Sequence, residues 1–292
     1  MSLIVASTNL GSCPKSLSLV FLFCASLAPS PSKAQSVPVR QLTLIQPNDP
    51  GFDDLLTTNF PGLDSLDGYA TYRPFLVLLR NDTLHSARAY SIAWDIQYPG
   101  GPNQIETDFI QKYHQSKAQA RAFASGELRL IAPFFNTSPQ EYVIRRTIIA
   151  NRMSAFVNHL PYSASNIKSV SPTVDAAIFD DGLYIGPDRF FLLTRYQCMR
   201  EVEHDLAEAL LKVMDSKGPT DEVVSILQRD IQAGLAANTS SRERAAICAL
   251  YRGEQAQMLL GLYRTGGVES VFTRAWAMDQ RPRETISRAL PN

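Results

Sequence analysis

The hydrophobic repeat of this chain changes once, near Gly186-Pro187, and this change constrains the fold more than any other feature. Before it, apolar side chains recur at every second residue, as on a half-buried strand. After it they recur every three or four residues, as on one face of a helix. Strands followed by helices predict an α+β chain, with a β-region before a helical region. Since no low-complexity linker separates the two regions, we expect them to pack against each other.

Several segments of the first region are typical of strands. In residues 90–96, large apolar side chains alternate with small or polar ones, and residues 75–79 form a continuous apolar run. Residues 126–131 predict another short strand, and 41–45 and 143–149 are weaker candidates, the last of which also fits a helix. The polar segment 99–125 lacks this alternation, which predicts a long excursion or a short helix over the sheet.

Asp181-Gly182 lies between two β-rich runs, residues 174–179 and 183–185. This dipeptide predicts a hairpin with a type I′ turn, in which both central residues have positive φ. The acidic spacing of an EF-hand is missing around Asp180 and Asp181, so we interpret Asp181 and Gly182 as a structural turn and predict no calcium site there.

The second region predicts three to four amphipathic helices. Their apolar stripes cover residues 192–213, 223–235, 247–262 and 268–276. Gly218-Pro219 ends the first helix, Thr220 begins the second, and Ser240 with Glu243 resembles a capping box for the third. Gly266-Gly267 separates the third helix from the fourth.

Two stretches of sequence carry a resemblance. Residues 74–82 and 90–94 look like paired strands of an Ig-like sandwich, and residues 175–188 resemble uncharacterised exported bacterial proteins in which a β-domain precedes a helical region. The resemblance implies an N-terminal Ig-like antiparallel β-sandwich followed by a C-terminal bundle of three to four helices. It implies no catalytic residue.

The first 34 residues contain no Asp or Glu, and they end in the small-residue motif Ser32-Lys33-Ala34. Their apolar run, residues 17–28, is shorter than the roughly 20 residues that span a bilayer. We therefore predict a signal peptide cleaved after Ala34, export to the periplasm or the cell exterior, and no stable membrane span afterwards. The predicted organisation is a signal peptide (1–34), a sandwich (35–187), a helical region (188–281) and a loose tail (282–292).

Charge narrows the range of partners. Loss of Lys15 and Lys33 with the signal leaves two fewer basic residues than the 28 acidic ones, so nothing favours nucleic acid. We expect an unknown protein or glycan partner in the exported compartment, and we predict no cofactor.

Two cysteines, Cys198 and Cys248, remain after signal removal. They lie at similar heights on the first and third predicted helices, which run parallel if consecutive helices alternate in direction. We predict a disulfide between them, as an exported chain permits. The alternative is two buried, reduced thiols.

Glu201, His204, Asp205 and Glu208 lie on one face of the first predicted helix. Glu201 and His204 form the Glu-x-x-His pair of bundle di-metal sites, but the chain offers no second such pair. We interpret this acidic face as solvated and predict no metal. Since the chain also lacks a nucleophile elbow and a phosphate-binding glycine loop, we find no catalytic motif.

The functional expectation is an exported, non-catalytic protein of interaction or structural type with an unknown ligand. An exported hydrolase or carbohydrate-binding enzyme is the alternative. Its site would be assembled from residues distant in sequence, because paired carboxylates need no local motif.

Overall fold

The computed structural model describes residues 41–99, 101–110, 122–133, 135–159, 166–237, 242–281 and 285–288. The predicted signal peptide with its cleavage site, the capping residue Ser240 and the last residues of the tail lie outside these ranges. Within them the chain is α+β as predicted, with two sheets, six α-helices and a mostly helical C-terminal part. No helix of this described part combines the length and the apolar character needed to cross a bilayer.

Strands predominate before residue 186, and helices predominate after it. In chain order, the elements are β1 (Leu42–Ile45), α1 (Phe52–Asn59), α2 (Tyr69–Tyr72), β2 (Val77–Asn81), β3 (Ala87–Tyr98), β4 (Gly101–Ile110), β5 (Leu128–Ala132), β6 (Phe135–Thr137), α3 (Pro139–His159), β7 (Ser169–Phe179), β8 (Leu183–Ile185), α4 (Leu192–Asp215), α5 (Thr220–Ala236), α6 (Arg244–Asp279) and β9 (Ser287–Arg288). A single 3₁₀ turn, Arg73–Phe75, precedes β2.

The strands form a four-stranded sheet, β1-β2-β5-β6, and a five-stranded sheet, β4-β3-β7-β8-β9. All neighbouring strands are antiparallel except β8 and β9, which are parallel. Leu78 of the first sheet and Trp94 of the second are fully buried in one shared apolar core. The alternation at 90–96 therefore does mark an inward-facing strand, because burial of its large side chains stabilises the fold.

The C-terminal helices pack around a second core, which includes Leu206, Leu227 and Leu259. A third cluster contains Ile178 of β7, Tyr184 of β8 and Met199 of α4, so the second sheet and the helices pack against each other as expected. The described residues, from 41 to 288, accordingly group as one compact unit.

Residues 175–190 build the joint between the sheet and α4. Arg189 donates to the buried Asp175 carboxylate at 2.8 Å. Asp188 accepts hydrogen bonds from the backbone N–H groups of Leu192 (2.5 Å) and Leu193 (3.4 Å), which caps the helix. Burial raises the pKa of Asp188, and these two hydrogen bonds oppose the rise. Residues 175–190 therefore have a structural role, because they connect the second sheet to the start of α4.

Residues 101–110, within the segment predicted to be an excursion or a short helix, form strand β4 instead. This strand pairs along its whole length with β3 and lies at the edge of its sheet. An edge strand tolerates polar residues, which explains why the apolar alternation is missing. Segment 143–149, the ambiguous candidate, belongs to helix α3.

The third and fourth predicted helices are both parts of α6, whose backbone leaves helical geometry at Gly267 (φ 70°, ψ −173°). The predicted loose tail also needs correction. Ser287 and Arg288 form β9 and pair with β8, although this dipeptide has no apolar pattern of its own.

The predicted hairpin is present between β7 and β8, but its turn is not type I′. Three residues, Asp180 to Gly182, separate the strands, and of these only Gly182 has positive φ (80°). The Gly182 N–H donates to the carbonyl of Phe179 at 3.0 Å. This is a three-residue loop that closes on a left-handed glycine, so Asp181 keeps negative φ.

Candidate functional site

A cleft of about 350 Å³ opens beside α4, and we call it the polar cleft. It is lined by Tyr196, Gln197, Arg200, Glu201, Glu203, His204, Asp205, Met278, Arg281 and Ile286. Three of the four residues of the predicted acidic face therefore belong to one site, and Glu208 lies outside it.

Helical spacing places the polar side chains of the cleft. Gln197, Arg200, Glu201 and His204 are three or four residues apart, so they share one side of α4. The apolar stripe of the same helix, including Leu206 and Leu210, packs into the core of the helical region. The far wall comes from Met278 at the end of α6, and from Arg281 and Ile286 beyond it.

Glu203 is the innermost charged group of the cleft, with only 2% of its side chain exposed. Its Oε2 atom accepts hydrogen bonds from Arg200 (3.2 Å) and from Arg281. Its Oε1 atom is buried and accepts no hydrogen bond from any residue that the structure describes. One oxygen of this buried carboxylate is therefore hydrogen-bonded to two arginines, and the other oxygen has no hydrogen-bond donor among the described residues.

Arg281 is almost as deeply buried as the carboxylate it binds. Burial lowers the pKa of its guanidinium, the Glu203 carboxylate opposes this effect, and the neighbouring Arg200 and Arg274 add to it. Two guanidinium groups, those of Arg200 and Arg281, thus bind the Glu203 carboxylate, and a third, that of Arg274, lies near enough to Arg281 to lower its pKa.

The rim of the cleft is more exposed. Glu201 forms an ion pair with Arg244 at the start of α6, which raises the pKa of that arginine. The Nδ1 atom of His204 lies 3.5 Å from a carboxylate oxygen of Asp279. Asp205 and Gln197 have no hydrogen-bond or ion-pair partner among the described residues, so both are available to a ligand.

Cys198 and Cys248 are joined by a disulfide, with their Cα atoms 4.7 Å apart. Cys198 follows the cleft residue Gln197 on α4, and Cys248 lies in the second turn of α6. The bridge therefore ties together the two helices that supply the walls of the cleft.

The turn residue Asp181 lies with Asp180 near His85, which the sequence did not single out. The Nδ1 atom of His85 is 3.0 Å from Asp180 and 3.9 Å from Asp181. Metal-ligating atoms of these three side chains lie within 4.8 Å of one another. Asp180 also accepts a hydrogen bond from the backbone N–H of Ser86. We therefore interpret these three side chains as contacts that hold the β7–β8 turn against the loop before β3.

Sequence reasoning missed two important cleft residues, Glu203 and Arg281. Glu203 is four residues after Met199 and three before Leu206, so a charged side chain falls on the apolar stripe of α4. That position could have revealed Glu203 in the sequence, because a charged side chain on a buried stripe needs an oppositely charged or hydrogen-bonding partner. Arg281 gave no signal, since it follows the last helix.

Comparisons with protein-family models, with curated proteins and with solved structures found no match for this chain. The assignment of the site therefore rests on its geometry.

Proposed function

We propose that this chain is an exported, non-catalytic binding protein whose ligand site is the polar cleft. The observation that carries the proposal is Glu203, which lines the cleft and whose buried Oε1 atom accepts no hydrogen bond from the described residues. Leaving a buried hydrogen-bond acceptor unpaired costs about 1–3 kcal/mol, and the cost is larger when the acceptor is charged. A ligand that donates a hydrogen bond from the cleft would recover this free energy. A concave site with a few convergent polar groups is the usual form of a small-molecule site.

Ion pairing of the cleft residues favours binding over catalysis. Glu203 is held by Arg200 and Arg281, and Glu201 is held by Arg244. A general acid or base must exchange a proton with the substrate during each turnover, and the Oε2 atom of Glu203 is already occupied by hydrogen bonds from two guanidinium groups. Groups fixed in this way are suited to orient a ligand.

Two further observations support the exported, Ig-like part of the proposal. In an Ig-like sandwich the first, second and fifth strands share one sheet, and the third, sixth and seventh share the other. Here β1, β2 and β5 share one sheet and β3, β7 and β8 the other, so the correspondence holds when both β6 and α3 are counted as additions before β7. Strand β4 lies beside β3, unlike the fourth strand of a constant-type domain, which joins the first sheet. The Cys198–Cys248 disulfide also suits an oxidising, exported compartment.

Protein-observed NMR with a fragment library tests this function on the isotope-labelled full chain. We expect the fragments that bind to shift the backbone signals of Gln197, Arg200 and Asp205 together, and to remain chemically unchanged during the titration. Hits that leave these signals unmoved would contradict the assigned site. Conversion of a bound compound would contradict the non-catalytic role.

One observation favours the hydrolase alternative. Glu201 and Asp205 are one helical turn apart on the same wall of the cleft, and glycoside hydrolysis needs two carboxyl groups about 5–10 Å apart. An assay with aryl glycosides separates the two functions. Turnover that disappears in Asp205→Asn but persists in Glu208→Gln would establish the hydrolase, whereas no turnover at any pH favours binding.

A further inference from the structure

Charges of both signs alternate in the polar cleft. Glu201, Glu203 and Asp205 are its carboxylates, and Arg200 and Arg281 are its guanidinium groups. The ion pair of Glu201 with Arg244 brings a third guanidinium to the rim. The cleft therefore has no large excess of positive or of negative charge.

This arrangement disfavours charged ligands. An anion at the floor would approach Glu203, and at the rim it would meet Glu201 and Asp205. A cation that reached Glu203 would approach Arg200 and Arg281, which already occupy the other oxygen of that carboxylate. Like charges at such short distances repel strongly away from bulk water, so a neutral ligand is favoured.

The polar atoms of the cleft require both donors and acceptors from that ligand. Glu203 Oε1 and the Asp205 carboxylate can accept hydrogen bonds from a ligand, and Gln197 can both donate and accept them. A hydroxyl group does both, and its hydrogen bond to a carboxylate is short and charge-assisted. Met278 and Ile286 add an apolar wall that suits C–H groups.

We propose that the polar cleft binds a neutral saccharide, whose hydroxyl groups donate to Glu203 and Asp205 and also contact Gln197. This assignment rests on the proposed binding function and names its ligand class. The cleft volume lies at the lower end of the range for small-molecule pockets, about 300–1,000 Å³. A short oligosaccharide with one sugar residue inserted is the form that fits best.

A glycan array with neutral, acidic and amino-sugar oligosaccharides, together with uncharged tripeptides, tests the ligand class on the full chain. We expect neutral oligosaccharides to give the strongest binding. Titration calorimetry with the best neutral oligosaccharide should then show about tenfold weaker binding for Asp205→Asn, the loss of about one hydrogen bond to a charged group. Gln197→Ala should bind about fivefold more weakly, the loss of about one hydrogen bond between uncharged groups. Glu208→Gln, further along α4 and outside the cleft, is the matched control and should bind like the wild type.

Asp205 and Gln197 are the chosen positions because removal of Glu203 would leave two buried guanidinium groups without their carboxylate and threaten the fold. Preference for acidic sugars, amino sugars or tripeptides, with loss in Asp205→Asn, would overturn the saccharide assignment while the binding function stands. Neutral sugars that bind equally well to all variants would also overturn it. If no array member binds, the saccharide assignment fails, and the NMR fragment screen then decides separately whether the cleft binds ligands at all.

Discussion

Gly182→Ala tests whether the C-terminal segment packs on the β7–β8 turn. Gly182 has φ 80°, and an ideal Cβ built there would lie 2.3 Å from the backbone oxygen of Thr285. No such contact is tolerated, so the segment containing Thr285 and Ser287 would have to move. Its hydrogen bond from the Ser287 N–H to the Gly182 carbonyl, 2.9 Å long, would then be lost together with the β8–β9 pairing.

The magnitude follows from two contributions. A left-handed conformation costs an alanine about 1–2 kcal/mol, and each lost backbone hydrogen bond costs about 1 kcal/mol. We expect Gly182→Ala to lower the free energy of unfolding by about 2–4 kcal/mol in urea denaturation followed by circular dichroism. Gly68→Ala is the matched control, because Gly68 also has φ 80° but open space around its Cβ position, and it should lose only about 1–2 kcal/mol. Equal losses for the two variants would refute the packing of Thr285 on the turn.

Three more predictions concern the helices, the disulfide and one buried phenol. Gly253→Ala would place a methyl group 2.8 Å from the Cα of Gly234 on α5, so it should lower the free energy of unfolding in urea by about 1–3 kcal/mol. Gly261→Ala on the same helix has open space around the new methyl group, and its free energy of unfolding should be unchanged or higher. Reduction of Cys198–Cys248, which closes a loop of 50 residues, should lower the free energy of unfolding by up to about 4 kcal/mol, and an unchanged denaturation midpoint with reductant would argue against this. Burial raises the pKa of Tyr90 from its usual 10 to about 12. Since the unfolded phenol ionises first, stability is fully present below pH 10 and falls as the pH rises to 12, and Tyr90→Phe should reduce this slope in denaturation curves measured across that range.

The sequence predicted those elements whose burial pattern is local. Strand β3 alternates because one face meets the shared core, and α4 repeats every three to four residues because one stripe meets the other helices. Strand β4 was missed because an edge strand needs no apolar face. The turn type was wrong because it depends on where the paired strands end, which the Asp181-Gly182 dipeptide does not specify.

The polar cleft was only half predictable for a related reason. Glu201, His204 and Asp205 share a helical face, so their proximity follows from spacing alone. Glu203 and Arg281 are 78 residues apart, and their contact depends on how the end of α6 packs on α4. No local pattern encodes such a contact.

Native mass spectrometry of the protein recovered from the cells that make it tests the central claim most directly. The account predicts a chain that begins at Gln35 and carries a non-covalent neutral sugar adduct, which is lost in Asp205→Asn and kept in Glu208→Gln. A chain that still contains Met1, or an adduct that is equally abundant in both variants, would contradict it.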